Sequence, residues 1–154
     1  EDIAATHVAA RFVDVPEWRW PAGSPITVEF WIFVRPDALR GGSVFSMGNQ
    51  ASPNRVQAHC PWEDGTLHWD YGDISAATGR VSVDFRPYLS KWVHVALVSD
   101  GNIASGRMSV YLNGVLAKQG LQGTSGPQIA LQGLTIGRVV KHSVPCTAPV
   151  ERAA

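Results

Sequence analysis

The nine residues at positions 26–34, Ile-Thr-Val-Glu-Phe-Trp-Ile-Phe-Val, are all β-branched or aromatic except Glu29, and such a run predicts a central strand. It begins after Gly-Ser-Pro and ends before Pro36, and both flanks favour turns. Because side chains alternate between the faces of a strand, the even-numbered residues are predicted to face the core. Trp31 and Phe33 would cover the opposite face, which we expect to be partly buried as well.

Similar short runs recur along the chain, separated by Gly, Pro, Asn and Asp. The predicted strands cover residues 8–15, 26–34, 43–48, 55–60, 67–71, 81–85, 92–99, 108–113, 115–118 and 134–139. Many short strands at this spacing, with hardly a helical pattern between them, are typical of an all-β fold. We predict a two-sheet antiparallel sandwich of the jelly-roll type.

Two turns have a clear mechanism. Asn113-Gly114 lies between two strand-like runs and supplies the two positive φ angles of a type I′ hairpin. Asp64-Gly65 likewise separates two arms, with Pro61 marking an edge or a bulge in the first arm. With a two-residue turn at this position, His59 would pair across from Asp70.

The composition excludes several classes of partner. The chain has 154 residues, 13 basic and 13 acidic, so it carries no net charge with which to bind nucleic acid. Its apolar runs are too short to span a bilayer, so we expect no membrane insertion. The first residue is Glu1 and not Met, which we interpret as a sign that a leader or an upstream domain has been removed.

The sequence contains two cysteines, Cys60 and Cys146. If they pair, the bridge closes a long loop and stabilises the fold by roughly 4 to 5 kcal/mol in the chain-entropy model. The alternative is a buried free thiol in a strand and a second thiol in the tail.

Four segments in a fixed order resemble the laminin G-like branch of the concanavalin A-like lectin superfamily. They are Phe-Trp at 30–31 with Arg-Pro at 35–36, Trp-Val-His-Val-Ala-Leu-Val at 92–98, Val-Tyr-Leu-Asn-Gly-Val-Leu at 110–116 and Leu-Thr-Ile-Gly-Arg at 134–138. The resemblance spans residues 8–138 and implies a concanavalin A-like jelly roll. We therefore assign residues 1–140 to one domain and residues 141–154 to a Pro-containing C-terminal tail.

The end of the chain departs from the family pattern. Members usually finish with a strand of the type Phe-x-Gly-x-Ile-Asp-x-Val, whereas residues 139–149 read Val-Val-Lys-His-Ser-Val-Pro-Cys-Thr-Ala-Pro. We expect the closing strand to be missing or irregular, which would leave an open sheet edge. Another chain or an outside segment would then cover that edge, in a homo-oligomer or a larger assembly.

The sequence does not carry a pattern for catalysis. Glycanases with this jelly roll use two glutamates flanking an aspartate on one strand, and the chain has no such triplet. His59 and Cys60 are neighbours on a predicted strand, so their side chains point to opposite faces and cannot form a dyad. We expect no enzymatic activity.

The resemblance also implies calcium at the rim of the sandwich, because related domains often hold that ion with loop oxygens. The candidate ligands are Asp70, Asp73, Asp100 and Asn102. The alternative is that these residues cap turns. His59, His68 and Asp70 would either bind a transition metal or form an ordinary polar cross-strand cluster.

Aromatic rings beside acidic groups are the remaining clue to a ligand, because sugars stack on rings and bond to carboxylates. The candidate ligand-binding residues are Trp62, Trp69, Tyr71, Glu63, Trp18 and Trp20. The alternative is that several of the tryptophans fill the core, and we assign Trp31 and Trp92 to the core.

Two functions remain. The first is a non-catalytic, lectin-like recognition module that binds a glycan or a protein surface. The second is a structural component of a larger assembly, such as a virion decoration, a tail or a cell-surface protein. Both imply an extracellular or surface-exposed location, whether the protein is secreted or carried on a virion.

Overall fold

The computed structural model of the chain describes residues 13–38, 42–48, 53–75, 78–137 and 150–153, with the backbone alone for Cys60 and residues 150–153. These residues form eleven strands, numbered β1 to β11 in chain order: Val13–Trp20, Ile26–Phe33, Gly42–Met47, Arg55–Cys60, Thr66–Gly72, Arg80–Asp84, Trp92–Ser99, Arg107–Leu112, Val115–Leu121, Leu131–Ile136 and Val150–Ala153. The helices of this part of the chain are two short 3₁₀ turns, Pro36–Ala38 and Arg86–Tyr88.

The strands form two sheets. The six-stranded sheet has the order β1-β10-β3-β4-β5-β6, and the five-stranded sheet has the order β11-β2-β7-β8-β9. Neighbouring strands are antiparallel throughout. Apolar side chains from both sheets fill the space between them. The predicted all-β sandwich is confirmed.

The first strand lies later in the chain than predicted. We expected it at residues 8–15, but β1 covers Val13–Trp20, and residues 8–12 lie outside the described part. Pro16 lies within β1 and cannot donate a ladder hydrogen bond. The structure accommodates it because β1 is an edge strand whose register with β10 shifts between Val15 and Arg19.

The predicted hairpin between β8 and β9 is confirmed. Asn113 and Gly114 have φ angles of 52° and 78°, as a type I′ turn requires. The two strands pair from Leu112 and Val115 outward. This turn sets the register of the hairpin from local sequence alone.

The core confirms the predicted inward face of β2, since Phe30 and Ile32 are buried. The assignment of Trp31 and Trp92 to the core is wrong. Both lie on the outer face of the five-stranded sheet, where they are 47% and 43% exposed. Their strands bury the alternate residues, and for Trp92 the buried neighbour is Val93. When both faces of a strand are apolar, its sequence alone does not predict which face the other sheet covers.

The closing strand was predicted to be missing or irregular; the structure shows an irregular one, and the open edge expected for a missing strand is covered. The last strand, β11, pairs with β2 through Val150 opposite Ile32 and Ala153 opposite Phe30. The ladder is irregular between Val150 and Arg152, so this closing strand is short and distorted. The final residues of the predicted tail therefore belong to the five-stranded sheet. Residues 138–149 lie outside the described part, and with them the predicted pairing of Cys146.

Candidate functional site

A concentration of polar side chains lies on the outer face of the six-stranded sheet. Strands β4 and β5 bury Val56, Ala58, Leu67 and Trp69 in the core, so the residues between them point the other way. We call the resulting surface the polar face. It consists of Ser43, Arg55, Gln57, His59, His68, Asp70, Arg80 and Ser82.

The register of the strands aligns this face in rows. Gln57 of β4 lies opposite Asp70 of β5, which in turn lies opposite Arg80 of β6. The prediction that His59 pairs with Asp70 is therefore wrong by two residues. The turn between β4 and β5 is longer than two residues, because Trp62 already bonds through its backbone N–H to the carbonyl of Thr66.

Asp70 is the centre of the face. Its side chain is fully buried, and Arg80 donates two hydrogen bonds to it, Nε to Oδ1 at 2.6 Å and an Nη to Oδ2 at 2.8 Å. A second guanidinium, that of Arg55, lies 3.9 Å from Oδ2. Burial alone would raise the pKa of Asp70, but contacts with His59, Arg80 and Gln57 hold this pKa far below its usual range. Asp70 is therefore ionised at any physiological pH.

Gln57 connects Asp70 to the buried imidazole of His59. Its Nε2 donates to Asp70 Oδ2 at 3.0 Å and lies 3.0 Å from Nε2 of His59. The other ring nitrogen of His59 lies 3.3 Å from the carbonyl oxygen of Gly42. Both ring nitrogens of His59 therefore have hydrogen-bonding partners, one on β4 and one on β3.

His68 has a more exposed position on the same face. Its Nδ1 lies 2.8 Å from the hydroxyl of Ser82, and its ring stands perpendicular to that of His59 at 5.7 Å. Burial and the nearby charge of Arg80 lower its pKa, so the ring is neutral at pH 7. The described residues supply no partner for Nε2 of His68, which leaves this nitrogen free to bond a ligand.

Trp62 borders the face at the turn after β4. Its ring packs edge-on against His59 at 4.6 Å and is 38% exposed. Glu63 follows it and is exposed. These two predicted ligand residues are thus open to solvent at one end of the polar face.

Trp69 and Tyr71, which we also predicted to bind a ligand, are fully buried in the core. Trp69 donates its indole N–H to the carbonyl of Val98 in the opposite sheet, and the hydroxyl of Tyr71 bonds to the carbonyl of Ser24. Their predicted ligand role is wrong, because neither side chain reaches the surface.

Trp18 and Trp20 lie on one face of β1 with their rings stacked at 5.6 Å. Both are half-buried and pack against the core. The structure thus gives them a packing role at the sheet edge and separates them from the turn that carries Trp62.

The four predicted calcium ligands each form hydrogen bonds or ion pairs with neighbouring residues. Asp70 is excluded, because a carboxylate held by two guanidiniums offers no charge to a cation. Asp73 accepts from the N–H and hydroxyl of Ser75, and Asp100 accepts from the N–H of Arg107. Asn102 donates to two carbonyls of the 122–128 loop. Among the described residues, no group of three His, Cys, Asp or Glu could hold a metal ion.

Sequence reasoning missed Arg55, Gln57 and Arg80. A local signal was present for the first two, since positions 55, 57 and 59 of β4 alternate with buried apolar residues. The link to Arg80 had no such signal, because it depends on the register between β5 and β6.

Comparisons with known proteins agree with this architecture. A model of a laminin G domain family, described as concanavalin A-like lectin/glucanases superfamily, matches residues 8–151. No curated protein sequence matches the chain significantly. In the described residues no helix is long and apolar enough to cross a membrane.

Solved structures show the same fold at low sequence identity. A botulinum neurotoxin serotype D ligand binding domain in complex with N-acetylneuraminic acid has a TM-score of 0.63 and 18% identity, covering 83% of this chain and 32% of its own. The native heptameric SAP-like pentraxin from Limulus polyphemus has a TM-score of 0.56 and 24% identity, and the match covers 82% of this chain and 57% of the pentraxin chain. Domains LG4-5 of the mouse laminin alpha1 chain have a TM-score of 0.58 and 8% identity, and the match covers 93% of this chain and 39% of the laminin chain.

The chain spans about a third of the length of the toxin chains that it matches. At these identities the likeness concerns the fold alone. The family match covers nearly the whole sequence, and it agrees with the two-sheet topology. The chain therefore belongs to the concanavalin A-like lectin/glucanases superfamily, in its laminin G branch.

Proposed function

We propose that the chain is a non-catalytic recognition module that binds a glycan carrying an acidic group on its polar face. One observation carries the proposal. Two arginines, Arg55 and Arg80, share the single buried carboxylate of Asp70, so the face has one positive charge in excess.

The excess charge is available to a ligand through Arg55. Arg80 occupies both oxygens of Asp70, whereas Arg55 approaches at 3.9 Å and makes no hydrogen bond within the described part of the chain. The Arg55 side chain is 24% exposed, so its free N–H groups can reach a ligand. A guanidinium binds a carboxylate or a sulfate with two parallel hydrogen bonds.

The rest of the face suits the neutral part of a glycan. Arg55 and His59 lie four residues apart on β4, which places them roughly 13 Å apart along the strand. Between Arg55 and Trp62 lies His68, whose Nε2 can bond a hydroxyl. The exposed ring of Trp62 offers an apolar surface for a sugar ring. A short oligosaccharide with one acidic sugar therefore matches the part of the polar face from Arg55 to Trp62 in both length and chemistry.

The state of Asp70 supports binding without catalysis. Hydrolysis of a glycosidic bond needs a second carboxyl group with a raised pKa to protonate the leaving oxygen. The pKa of Asp70 is shifted the opposite way, and its two oxygens are bonded to Arg80. Asp70 therefore positions the two arginines and takes no part in proton transfer.

Analogy supports the class of ligand, though only at the level of the fold. One structural neighbour is a toxin domain in complex with N-acetylneuraminic acid, an acidic sugar. Acidic sugars end many cell-surface glycans, so we also propose that the module acts outside the cell or on an exposed surface such as that of a virion.

Calorimetric titration tests the proposal, with 3′-sialyllactose compared with lactose. We expect the wild-type protein to bind sialyllactose more tightly, and Arg55→Gln to weaken this binding by roughly 10- to 100-fold, because a hydrogen bond to a charged group contributes roughly 1.5–3 kcal/mol. Arg35→Gln removes an exposed arginine that follows β2, a strand of the other sheet, and serves as the control. Equal binding of lactose, or an unchanged affinity in Arg55→Gln, would contradict the proposal.

The alternative function, a structural component of an assembly, is favoured by the exposed Trp31 and Trp92. The open edge that first suggested it is covered by β11 over residues 30–32. Light scattering after size exclusion separates the two functions. A monomer supports the recognition module, and a stable oligomer supports the structural component.

A further inference from the structure

The outer face of the five-stranded sheet is apolar across four strands. The inward side chains of β7 and β8, such as Val95 and Val110, fill the core, so the residues between them point outward. Cross-strand pairing places Leu116 of β9 on the same side as Tyr111 of β8, because directly opposite residues share a face. We call the apolar side chains that point outward from these strands the apolar face: Trp31, Phe33, Trp92, Tyr111, Leu116 and Leu121.

The apolar face exposes a large area for a single domain. Trp31, Trp92, Leu116 and Leu121 are each 43–55% exposed. Together with the two half-buried rings of the face, these four side chains leave roughly 500 Å² of apolar surface open to solvent. The largest apolar patch on a monomeric protein measures roughly 300–600 Å², and a patch of that size often marks an interaction site.

The whole outer face has the size that one subunit contributes to a standard protein interface. Polar residues lie between and beside the apolar ones, among them Glu29, His94 and Gln119. With these residues the face offers roughly 700 Å², close to the roughly 800 Å² that each partner buries in a standard interface. Two copies stacked through this face would therefore bury enough surface for a specific complex.

The charges of the face favour a second copy of the chain over an acidic or a basic partner. In β2, β7, β8 and β9 the charged side chains that point outward are Glu29 and Arg107, one acid and one base. The whole chain also has equal numbers of acidic and basic residues. Two copies therefore meet here without an excess of like charge. An interface centre rich in aromatic residues and poor in charges is typical of protein–protein contacts.

From these observations we infer that the apolar face is the interface of a two-fold dimer of this chain. In a two-fold interface the same surface contacts itself, so the two five-stranded sheets pack face to face. The area is well below that of obligate dimers, so the dimer forms reversibly and dissociates on dilution. This behaviour distinguishes it from the stable oligomer of the alternative function.

The dimer leaves both polar faces exposed. Each polar face belongs to the six-stranded sheet, so the two faces lie on opposite outer surfaces of the dimer. The dimer itself does not depend on the proposed function. One consequence does rest on it: with an acidic glycan on each polar face, the dimer joins two glycan-bearing surfaces.

Sedimentation velocity, recorded from micromolar to millimolar protein concentrations, tests the inference. We expect the mean mass to rise with concentration from that of the monomer toward twice that value. Leu116→Arg and Trp92→Arg, on different strands of the face, should each weaken self-association at least about tenfold, because an unpaired charge would be buried in the interface.

The preceding residue on β9 gives the matched control. Val115 is 69% exposed, more than Leu116, but it lies opposite Leu112 and so points away from the apolar face. Val115→Arg should therefore associate as the wild type does. Thermal unfolding and sialyllactose titration of the three variants should match the wild type, because the substitutions are on the surface and away from the polar face.

Three outcomes would overturn the inference. The first is a wild-type protein that stays monomeric into the millimolar range, which would leave the apolar face to a different partner. The second is a dimer that both Leu116→Arg and Trp92→Arg leave intact, and the third is an equal loss of self-association in Val115→Arg. A dimer that fails to bind sialyllactose would contradict the proposed function and leave the dimer interface standing.

Discussion

Replacing Asp70 by Asn tests the central network of the polar face. The substitution keeps the shape of the side chain and removes its charge, which leaves Arg80 and Arg55 without their shared partner. Removing one member of a buried ion pair costs about 3–5 kcal/mol. Asp70 is fully buried, but the side chains of Arg80 and Arg55 are 32% and 24% exposed, so water compensates part of the loss. We expect the free energy of unfolding to fall by about 2–3 kcal/mol.

The chain contains a matched control for this experiment. Asp84 and Arg86 form the same two-bond pair, with distances of 2.8 and 2.9 Å, but both side chains are exposed. Exposed pairs contribute little to stability. Asp84→Asn should therefore unfold at the wild-type urea concentration.

Urea unfolding, followed by tryptophan fluorescence, measures the change in the free energy of unfolding. We expect the m-value to be the same in the variant and the wild type. Thermal unfolding should show a fall of about 5–10 °C for Asp70→Asn, since 1 kcal/mol corresponds to about 2–4 °C in a domain of this size. Equal stability of Asp70→Asn and wild type, or equal losses in Asp70→Asn and Asp84→Asn, would refute the reasoning.

Three further predictions follow from the same structure. The pKa of Asp70 is lower in the folded than in the unfolded chain, so the free energy of unfolding should fall as the pH drops below about 4. Urea titrations at these pH values should show a smaller difference in free energy of unfolding between wild type and Asp70→Asn than at pH 7. Gly72→Ala should destabilise far more than Gly114→Ala. Both glycines have positive φ, but a Cβ at Gly72 would lie 2.0 Å from the carbonyl oxygen of Ser125 while one at Gly114 meets nothing, a difference that thermal unfolding would show. Millimolar calcium should leave the melting temperature unchanged, because the expected carboxylate ligands already accept hydrogen bonds or ion pairs, and a rise of several degrees would contradict this.

Local sequence signals predicted much of the fold. The hairpin at Asn113 and Gly114 and the buried face of β2 depend on neighbouring residues alone, and both are confirmed. The short closing strand β11 was missed, because Val-Glu-Arg-Ala is too brief and too polar for its pattern to indicate a strand. Its place is set by pairing with a distant strand.

The candidate site was harder to predict, for a physical reason. A tryptophan such as Trp31 or Trp69 has the same chemistry in the core and on a surface, and its position depends on which face of a strand the other sheet covers. The polar face also depends on register, since Asp70 meets Gln57 and Arg80 only through pairing across three strands. Neither quantity can be read from one segment.

The most direct test of the central claim is to map sialyllactose binding onto the structure by NMR, with backbone and side-chain ¹H–¹⁵N spectra recorded during titration. The proposed function predicts that the shifts concentrate at Arg55, His68 and Arg80 and at the indole N–H of Trp62. Shifts confined to the loops around Asp73 and Asn102, or no shifts at millimolar ligand, would contradict the claim that the polar face recognises an acidic glycan.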